Sequence, residues 1–129
     1  MFGSTMSWKS HMQNVVALST TEAEYMALTE AVKESIWLKG MLGDFGIQQE
    51  SVEISCDNNS AIYLTKHQTF HERSKHIDIC MHFIRDEVAK GRVRIKKVST
   101  EYNAANMLTK PLPVSKFHHC MELVNILKR

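Results

Sequence analysis

Long apolar runs, a signal segment and paired cysteines are what this sequence lacks. No stretch approaches the ~20 apolar residues of a membrane-spanning helix, and the first residues lack the basic end and apolar run of a secretory signal. The three cysteines, Cys56, Cys80 and Cys120, are an odd number without CxxC spacing. We therefore expect reduced thiols and a cytoplasmic or nuclear protein that is neither secreted nor inserted into a membrane.

An excess of one charge is also missing. The net charge of +2 at pH 7 is too small by itself to indicate a nucleic-acid partner. Of the 129 residues, 43% are hydrophobic and 23% are charged, which is typical of globular proteins and excludes the disordered and fibrous classes. This length predicts one domain spanning residues 1–129.

The hydrophobic pattern predicts alternating strands and helices. A weak strand over residues 4–10 precedes a helix from about Thr20 to Leu42, which has a capping box at Ser19–Glu22 and stop signals at Gly43 and Gly46. Val52–Cys56 alternates as a strand does, and residues 67–76 form a loop. The expected apolar stripe of the long helix comprises Leu28, Ala31, Ser35, Leu38 and Leu42. One more strand is predicted, Arg92–Val98. The further predicted helices are Ser60–Lys66, Asp78–Lys90 (closed by Gly91), Asn103–Thr109 and Ser115–Leu127. This order predicts an α/β layer fold.

Two carboxylates lie where an α/β fold gathers its site. Asp57 directly follows the strand Val52–Cys56, and Glu24 lies in the first turns of the preceding helix. Oxygen ligands from a helix and a strand end suit Mg²⁺ or Mn²⁺, and two such ions catalyse phosphodiester hydrolysis. The alternatives are a solvated helical glutamate and an ordinary turn at Asp57.

Histidines cluster in two places. His67, His71 and His76 lie in the central loop, and His118-His119-Cys120 lies near the end. These spacings match no standard structural zinc site. Zinc is one interpretation; exposed loop histidines, some of them touching phosphate, are the other.

A basic stripe is predicted on the strand Arg92–Val98. Arg92, Arg94 and Lys96 share one face, opposite Val93 and Ile95. The stripe could follow a phosphate backbone or be an ordinary solvated face.

Several long segments resemble the RNase H end of copia-type retrotransposon polyproteins. They follow one another in the family's order and span nearly the whole chain: SWKS (7–10), NVVALSTTEAEYMAL (14–28), IWLKGMLGDFG (36–46), CDNNSAIYLTKH (56–67), FHERSKHIDICMHFIRDEV (70–88) and NMLTKPLP (106–113). The resemblance implies a mixed five-stranded sheet with flanking helices. It also implies metal-dependent cleavage of RNA in an RNA–DNA hybrid by a cluster of four acidic residues.

Carried over to this sequence, the resemblance makes Glu24 and Asp57 catalytic metal ligands and Glu22 a capping residue. Asn106 stands where the family's fourth acid is expected. The first acid has no counterpart, because the family's first two strands are not matched. We expect reduced metal affinity and a need for high Mg²⁺ or for Mn²⁺. Asp78 and His76 are candidates to substitute; alternatively, Asp78 is simply a helix N-cap.

The resemblance also predicts how the fold differs from its family. An RNase H-like mixed sheet lacking the first two strands would leave the Val52–Cys56 edge bare, and a bare edge favours pairing with another chain. We therefore expect a homodimer with a shared sheet. The alternative is a monomer in which residues 1–18 fold back.

The expected function is endonucleolytic cleavage of RNA in a duplex, either RNA–DNA hybrid or double-stranded RNA, which share an A-like shape. The alternatives are a catalytically inactive duplex-binding or protein-interaction module and a fragment of a decaying element. The candidates for phosphate contact are Lys9, Lys66, His67, Arg73, Lys75, His76 and Lys110.

Overall fold

The computed structural model describes residues 5–10, 12–14, 16–67 and 75–127, with residues 75 and 76 described by their backbone alone. These residues divide into two compact units, one comprising residues 15–97 and the other residues 1–14 with 98–129. The predicted contacts Arg73, Lys75 and His76 therefore lie wholly or by their side chains outside the described residues, as does His71.

Helix α1 (Thr20–Asp44) opens the larger unit, and both of its ends follow the sequence signals. The Ser19 hydroxyl accepts the backbone N–H of Glu22 at 3.1 Å, and the Glu22 carboxylate accepts the N–H of Leu18 at 2.6 Å. At the other end, Gly46 adopts φ +76° and the N–H of Ile47 bonds to the carbonyl of Leu42. This is a Schellman ending, in which a residue without Cβ takes the left-handed position at no steric cost.

The buried face of α1 differs from the predicted stripe. The buried residues are Tyr25, Leu28, Thr29, Val32 and Ser35, whereas three of the predicted positions, those at 31, 38 and 42, are only half-buried. Thr29 and Ser35 tolerate burial because their hydroxyls donate to carbonyls of their own helix, at 2.9 and 2.8 Å. A hydroxyl satisfied in this way can occupy an apolar face.

The sheet has two strands in the described residues, β1 (Val52–Cys56) and β2 (Val93–Lys97), paired in parallel with Val52 opposite Val93 and Cys56 opposite Lys97. Parallel neighbours need a long crossover. It contains α2 (Asn59–Lys66) and α3 (Lys75–Ala89). Both strands begin and end as predicted, to within one residue.

Helix α3 corrects one sequence-based alternative. Asp78 lies in the first turn of the helix rather than before it, so the interpretation of Asp78 as an N-cap is wrong. The predicted loop over residues 67–76 is also too long, because α3 already includes residues 75 and 76. At the far end Gly91 has φ +70° and the N–H of Arg92 bonds to the carbonyl of Glu87, which confirms Gly91 as the stop.

The larger unit contains the hydrophobic core. Its buried members come from every helix and strand of the unit: Tyr25, Leu28, Val32, Cys56, Ala61, Ile77, Met81, Ile84 and Val93. Burial of the Leu, Val, Ile and Met side chains in this set contributes about 1.5–3 kcal/mol each, and it fixes α1 and β1 in their relative positions.

The smaller unit has a 3₁₀ turn (Thr100–Tyr102), α4 (Asn106–Thr109) and α5 (Val114–Leu123). The predicted strand at residues 4–10 is wrong, since residues 5–10 have no strand partner in the described part of the chain. They are held instead by side-chain bonds such as Thr5 Oγ1 to the carbonyl of Val124 at 2.6 Å.

The described residues thus form a mixed α/β structure with five α-helices and a small parallel sheet. Among these helices, none combines the length and the hydrophobicity that a bilayer-crossing segment requires.

Candidate metal and nucleic-acid site

At the carboxyl end of β1, two acidic residues lie near enough to one buried thiol to raise its pKa. Cys56 is the last residue of β1 and is 6% exposed. Burial raises the pKa of its thiol, and the negative charges of Glu24 and Asp57 raise it further, while the Asn58 backbone contact and Lys97 oppose the shift. Glu24, on α1, and Asp57, directly after β1, therefore both lie within electrostatic reach of the same sulfur atom.

The two elements set this arrangement for simple reasons. The strand ends at Cys56 because Asn58 caps α2, its side chain accepting the N–H of Ala61 at 2.9 Å. Asp57 is consequently held in the short turn between the strand and the helix, and it is half-buried. Glu24 is exposed, one residue before the buried Tyr25 of α1. Packing of the Tyr25 side of α1 into the core fixes the direction of the Glu24 side.

A cation completes this end of the sheet. Lys97 is paired with Cys56 in the parallel register, and its ammonium donates a hydrogen bond to the backbone carbonyl of Asp57. The bond ties the Asp57 turn to the end of β2. Lys97 was not singled out from the sequence, because only the pairing of the two strands brings it to Asp57.

The acidic set is small. Among the described residues, no group of three or more His, Cys, Asp or Glu side chains is arranged to hold a metal ion. Asp78 lies half-buried in the first turn of α3, and its role as a ligand stays a prediction. The described residues therefore contain no such group for zinc either. His71 and the His76 side chain, which the zinc hypothesis included, lie outside the described residues.

Two of the residues predicted to contact phosphate lie at the C-terminal end of α2. Lys66 and His67 are both exposed. The His67 ring stacks on Tyr63 with the ring centroids 4.0 Å apart and the planes at 14°, and its Nδ1 lies 3.1 Å from the Tyr63 carbonyl oxygen. The end of α2 is anchored by Arg85 of α3, whose guanidinium donates to the carbonyls of Leu64 and His67.

The smaller unit contains three further predicted residues. Lys9 is exposed. Asn106 and Lys110 line a pocket of about 510 Å³ together with Lys116 and His119. The Asn106 side-chain amide donates to the carbonyl of Thr100 at 2.8 Å. Sequence reasoning had considered His119 as a zinc ligand or as an exposed histidine able to touch phosphate, and it had missed Lys116. Both line the same pocket as Asn106 only because α5 packs there.

The basic stripe on β2 is partly neutralised. Val93 is buried and Arg94 and Lys96 are exposed, so the predicted alternation is confirmed. Lys96 pairs with Glu53 at 3.0 Å, and Arg92, just before the strand, pairs with Glu87 at 3.3 Å. Such pairs reduce the positive charge that the stripe offers to a phosphate backbone, which favours the solvated-face interpretation.

Three transposon polyproteins are similar to this chain over nearly its whole length. It is 48% identical over 124 residues to the retrovirus-related Pol polyprotein from transposon TNT 1-94 of Nicotiana tabacum. The corresponding polyproteins from transposons RE2 and RE1 of Arabidopsis thaliana are 39% and 38% identical over 124 and 122 residues.

These three alignments cover 96%, 95% and 94% of this chain but only 9%, 8% and 8% of the polyproteins. The chain thus corresponds to less than a tenth of each of these relatives. No family model matches the sequence, and no solved structure matches it significantly. The similarities support a retrotransposon-derived origin for the chain.

Proposed function

We propose that this chain is a metal-dependent endoribonuclease of the RNase H type, hydrolysing RNA in a duplex. Glu24 and Asp57 are its metal ligands, and Mg²⁺ or Mn²⁺ is its cofactor. The observation that supports the proposal is that both carboxylates lie within electrostatic reach of the Cys56 thiol, the last residue of β1. Open α/β sheets collect their functional groups at that end.

The donor set fits a hard divalent cation. Both ligands are carboxylates, whose oxygens Mg²⁺ and Mn²⁺ prefer, and both stand at a solvent-accessible position. When bound, the metal would lower the pKa of a coordinated water and stabilise the leaving oxygen of the phosphodiester. Lys97 is a positioning residue, because its bond to the Asp57 carbonyl holds the turn that presents the carboxylate.

The fold that goes with this proposal is the RNase H-like mixed sheet without its first two strands. The parallel neighbours β1 and β2, joined through α2 and α3, support it. The duplex is RNA–DNA hybrid or double-stranded RNA, contacted by Lys66 and His67 at the end of α2 and by Lys9 and Lys110.

A second part of the proposal is a homodimer through β1. In the described residues β1 pairs only with β2. The Val52 N–H donates to Arg92, so the alternate residues Glu53 and Ser55 direct their backbone groups to the other edge. Such groups are a template for a second copy. Size-exclusion chromatography with light scattering should give a dimer, and Ser55→Pro, which removes one outward donor, should give a monomer. A wild-type monomer at micromolar concentration contradicts this part.

The nuclease proposal is tested with labelled hybrid and labelled double-stranded RNA in Mg²⁺ and in Mn²⁺. Cleavage should fall at least 100-fold in Asp57→Asn and in Glu24→Gln, since each removes half of the ligand charge. Glu53→Gln is the matched control, because it changes an exposed carboxylate of the same strand that pairs with Lys96, and it should cleave as the wild type does. Undiminished cleavage in both site variants refutes the assignment.

A catalytically inactive duplex-binding module is the second candidate. Asn106 in place of the expected acid favours it, as does the lack of any three-ligand cluster among the described residues. Binding of either duplex without cleavage in both metals would establish this function instead.

A further inference from the structure

A pocket of about 640 Å³ opens between the starts of α1 and α2 in the larger unit. Its volume is several times that of a single aromatic ring, and none of its lining residues is a proposed metal ligand. The lining consists of Ser19, Thr21, Glu22, Tyr25, Asn59, Ser60, Tyr63, Leu64 and Ile77.

The wall that α2 supplies is aromatic and accessible. Tyr63 is 55% exposed and is held in place by its stack on His67, at a centroid separation of 4.0 Å. A fixed, exposed ring pair is a platform on which another flat ring can stack. Base stacking on a side-chain ring is worth ~1–3 kcal/mol, and proteins use such rings to hold unpaired bases.

The polar part of the lining selects against an anion. Among the described residues that line the pocket, Glu22 is the only charged one, so in that part of the chain a phosphate would meet a negative charge and no positive one. The hydroxyls of Ser19, Thr21 and Ser60 and the amide of Asn59 offer neutral hydrogen bonds instead. The pocket therefore suits a neutral ring with donors and acceptors on its edge.

Tyr25 adds an unused hydrogen-bonding group. It lines the pocket yet is only 1% exposed, and its hydroxyl has no hydrogen-bond partner in the described part of the chain. Burial raises the pKa of Tyr25 to about 12, so the phenol remains a donor at neutral pH. An unpaired buried hydroxyl costs ~1–3 kcal/mol, and a ligand oxygen or ring nitrogen that reached it would remove that cost.

We propose that this pocket binds an unpaired nucleobase, stacked on Tyr63 and hydrogen-bonded by the polar residues around it. The proposal deepens the proposed nuclease function and rests on it for one point, that the base belongs to a bulge or overhang of the duplex substrate. The shared chemistry, a heteroaromatic ring with an amide or amine edge, also occurs in a free nucleoside.

The test measures binding without cleavage, in EDTA, so that loss of nuclease activity does not affect it. Three probes are compared: an RNA duplex with one bulged 2-aminopurine, the same duplex with that base paired, and free adenosine. The bulged base should bind about 10-fold more tightly than the paired one and lose its fluorescence on stacking. Tyr63→Ala should abolish this preference and Tyr25→Phe should weaken it several-fold. Trp37→Ala, which removes another exposed aromatic residue of the same unit, should not change it.

Each outcome decides the matter. A preference for the bulge that depends on Tyr63 supports the strand as the source of the base. Adenosine binding that depends on Tyr63, without a preference for the bulge, supports the pocket and assigns it to a free nucleoside. If neither probe depends on Tyr63, while circular dichroism shows the variants folded, the proposal is overturned.

Discussion

Replacing Arg85 by alanine should destabilise the end of α2 more than any other single change of a surface cation. Its Nε and Nη2 donate to the Leu64 carbonyl at 3.2 and 2.9 Å, and Nη2 also donates to the His67 carbonyl. The Leu64 carbonyl belongs to the last turn of α2 and His67 is the C-cap, a place where acceptors lack partners within the helix. Hydrogen bonds from a charged donor contribute ~1.5–3 kcal/mol. Because Arg85 is only half-buried, we expect a total loss of about 2 kcal/mol, or roughly 30-fold in the ratio of folded to unfolded protein.

The measurement is urea unfolding followed by circular dichroism, together with hydrogen exchange of the α2 amides. Exchange in the last turn of α2 should accelerate most, since the capping bonds are local. Arg85→Lys should lose only about half of the free energy of unfolding that Arg85→Ala loses, because an ammonium cannot span two carbonyls as a guanidinium fork does. Arg94→Ala is the control: Arg94 is exposed on β2 and should change stability by less than ~0.5 kcal/mol. Equal effects of Arg85→Ala and Arg94→Ala would refute the reasoning.

Three further predictions follow from buried or coupled groups. Glu87→Ala should lower the free energy of unfolding by about 1–2 kcal/mol, less than for a fully buried pair, because the cation left behind at Arg92 is exposed; a loss above ~4 kcal/mol in thermal or urea unfolding would contradict this. Stability should fall as pH rises from 10 towards 12, because the pKa of Tyr25 is raised from 10.0 to about 12 in the folded protein and its phenol ionises first in the unfolded chain. Tyr25→Phe should reduce that fall in unfolding curves recorded across this range, and an unchanged pH dependence would count against it. Glu24→Gln should lower the pKa of the Cys56 thiol, since it removes a negative charge that raises it; thiolate absorbance against pH measures this, and a rise or no change would place Glu24 away from β1.

The sequence predicted well those elements whose signals are local. The strand Val52–Cys56 needed only its alternation, and the ends of α1 and α3 needed only Gly46 and Gly91 in left-handed positions. The last helix shows the limit of this approach. It ends at Leu123, because Asn125 adopts φ 56° and the N–H of Ile126 bonds to the Met121 carbonyl. An asparagine can occupy the position usually taken by glycine, but its presence in a sequence does not predict that it will do so.

The errors in the core prediction have a different cause. An apolar stripe was sought on α1 by residue type, whereas Thr29 and Ser35 are buried with their hydroxyls bonded to the helix backbone. Whether a hydroxyl turns inward depends on the packing partner, which periodicity alone does not contain. The same holds for Tyr25 of α1, whose burial in the core the sequence did not predict.

For the candidate site, the sequence supplied the acids but not their surroundings. Glu24 and Asp57 came from their places in the pattern and from the family resemblance. Lys97 depends on the register that sets it opposite Cys56, and the pocket depends on α2 packing beside the start of α1. Pairing and packing are non-local, so periodicity and motifs in a single sequence could not have placed these groups together.

The two proposed sites occupy neighbouring positions along the same two segments. On α1, Glu22 and Tyr25 line the pocket while Glu24 lies near Cys56; after β1, Asp57 is followed within two residues by Asn59 of the pocket. If an unpaired base of an RNA strand binds in the pocket, one phosphate of that strand should therefore lie at Glu24 and Asp57, a fixed number of nucleotides from the bound base. Moving the bulge along a labelled duplex by two nucleotides should move the cleavage position by two nucleotides as well. Cleavage at sites that ignore the bulge would mean that the pocket and the carboxylates act independently.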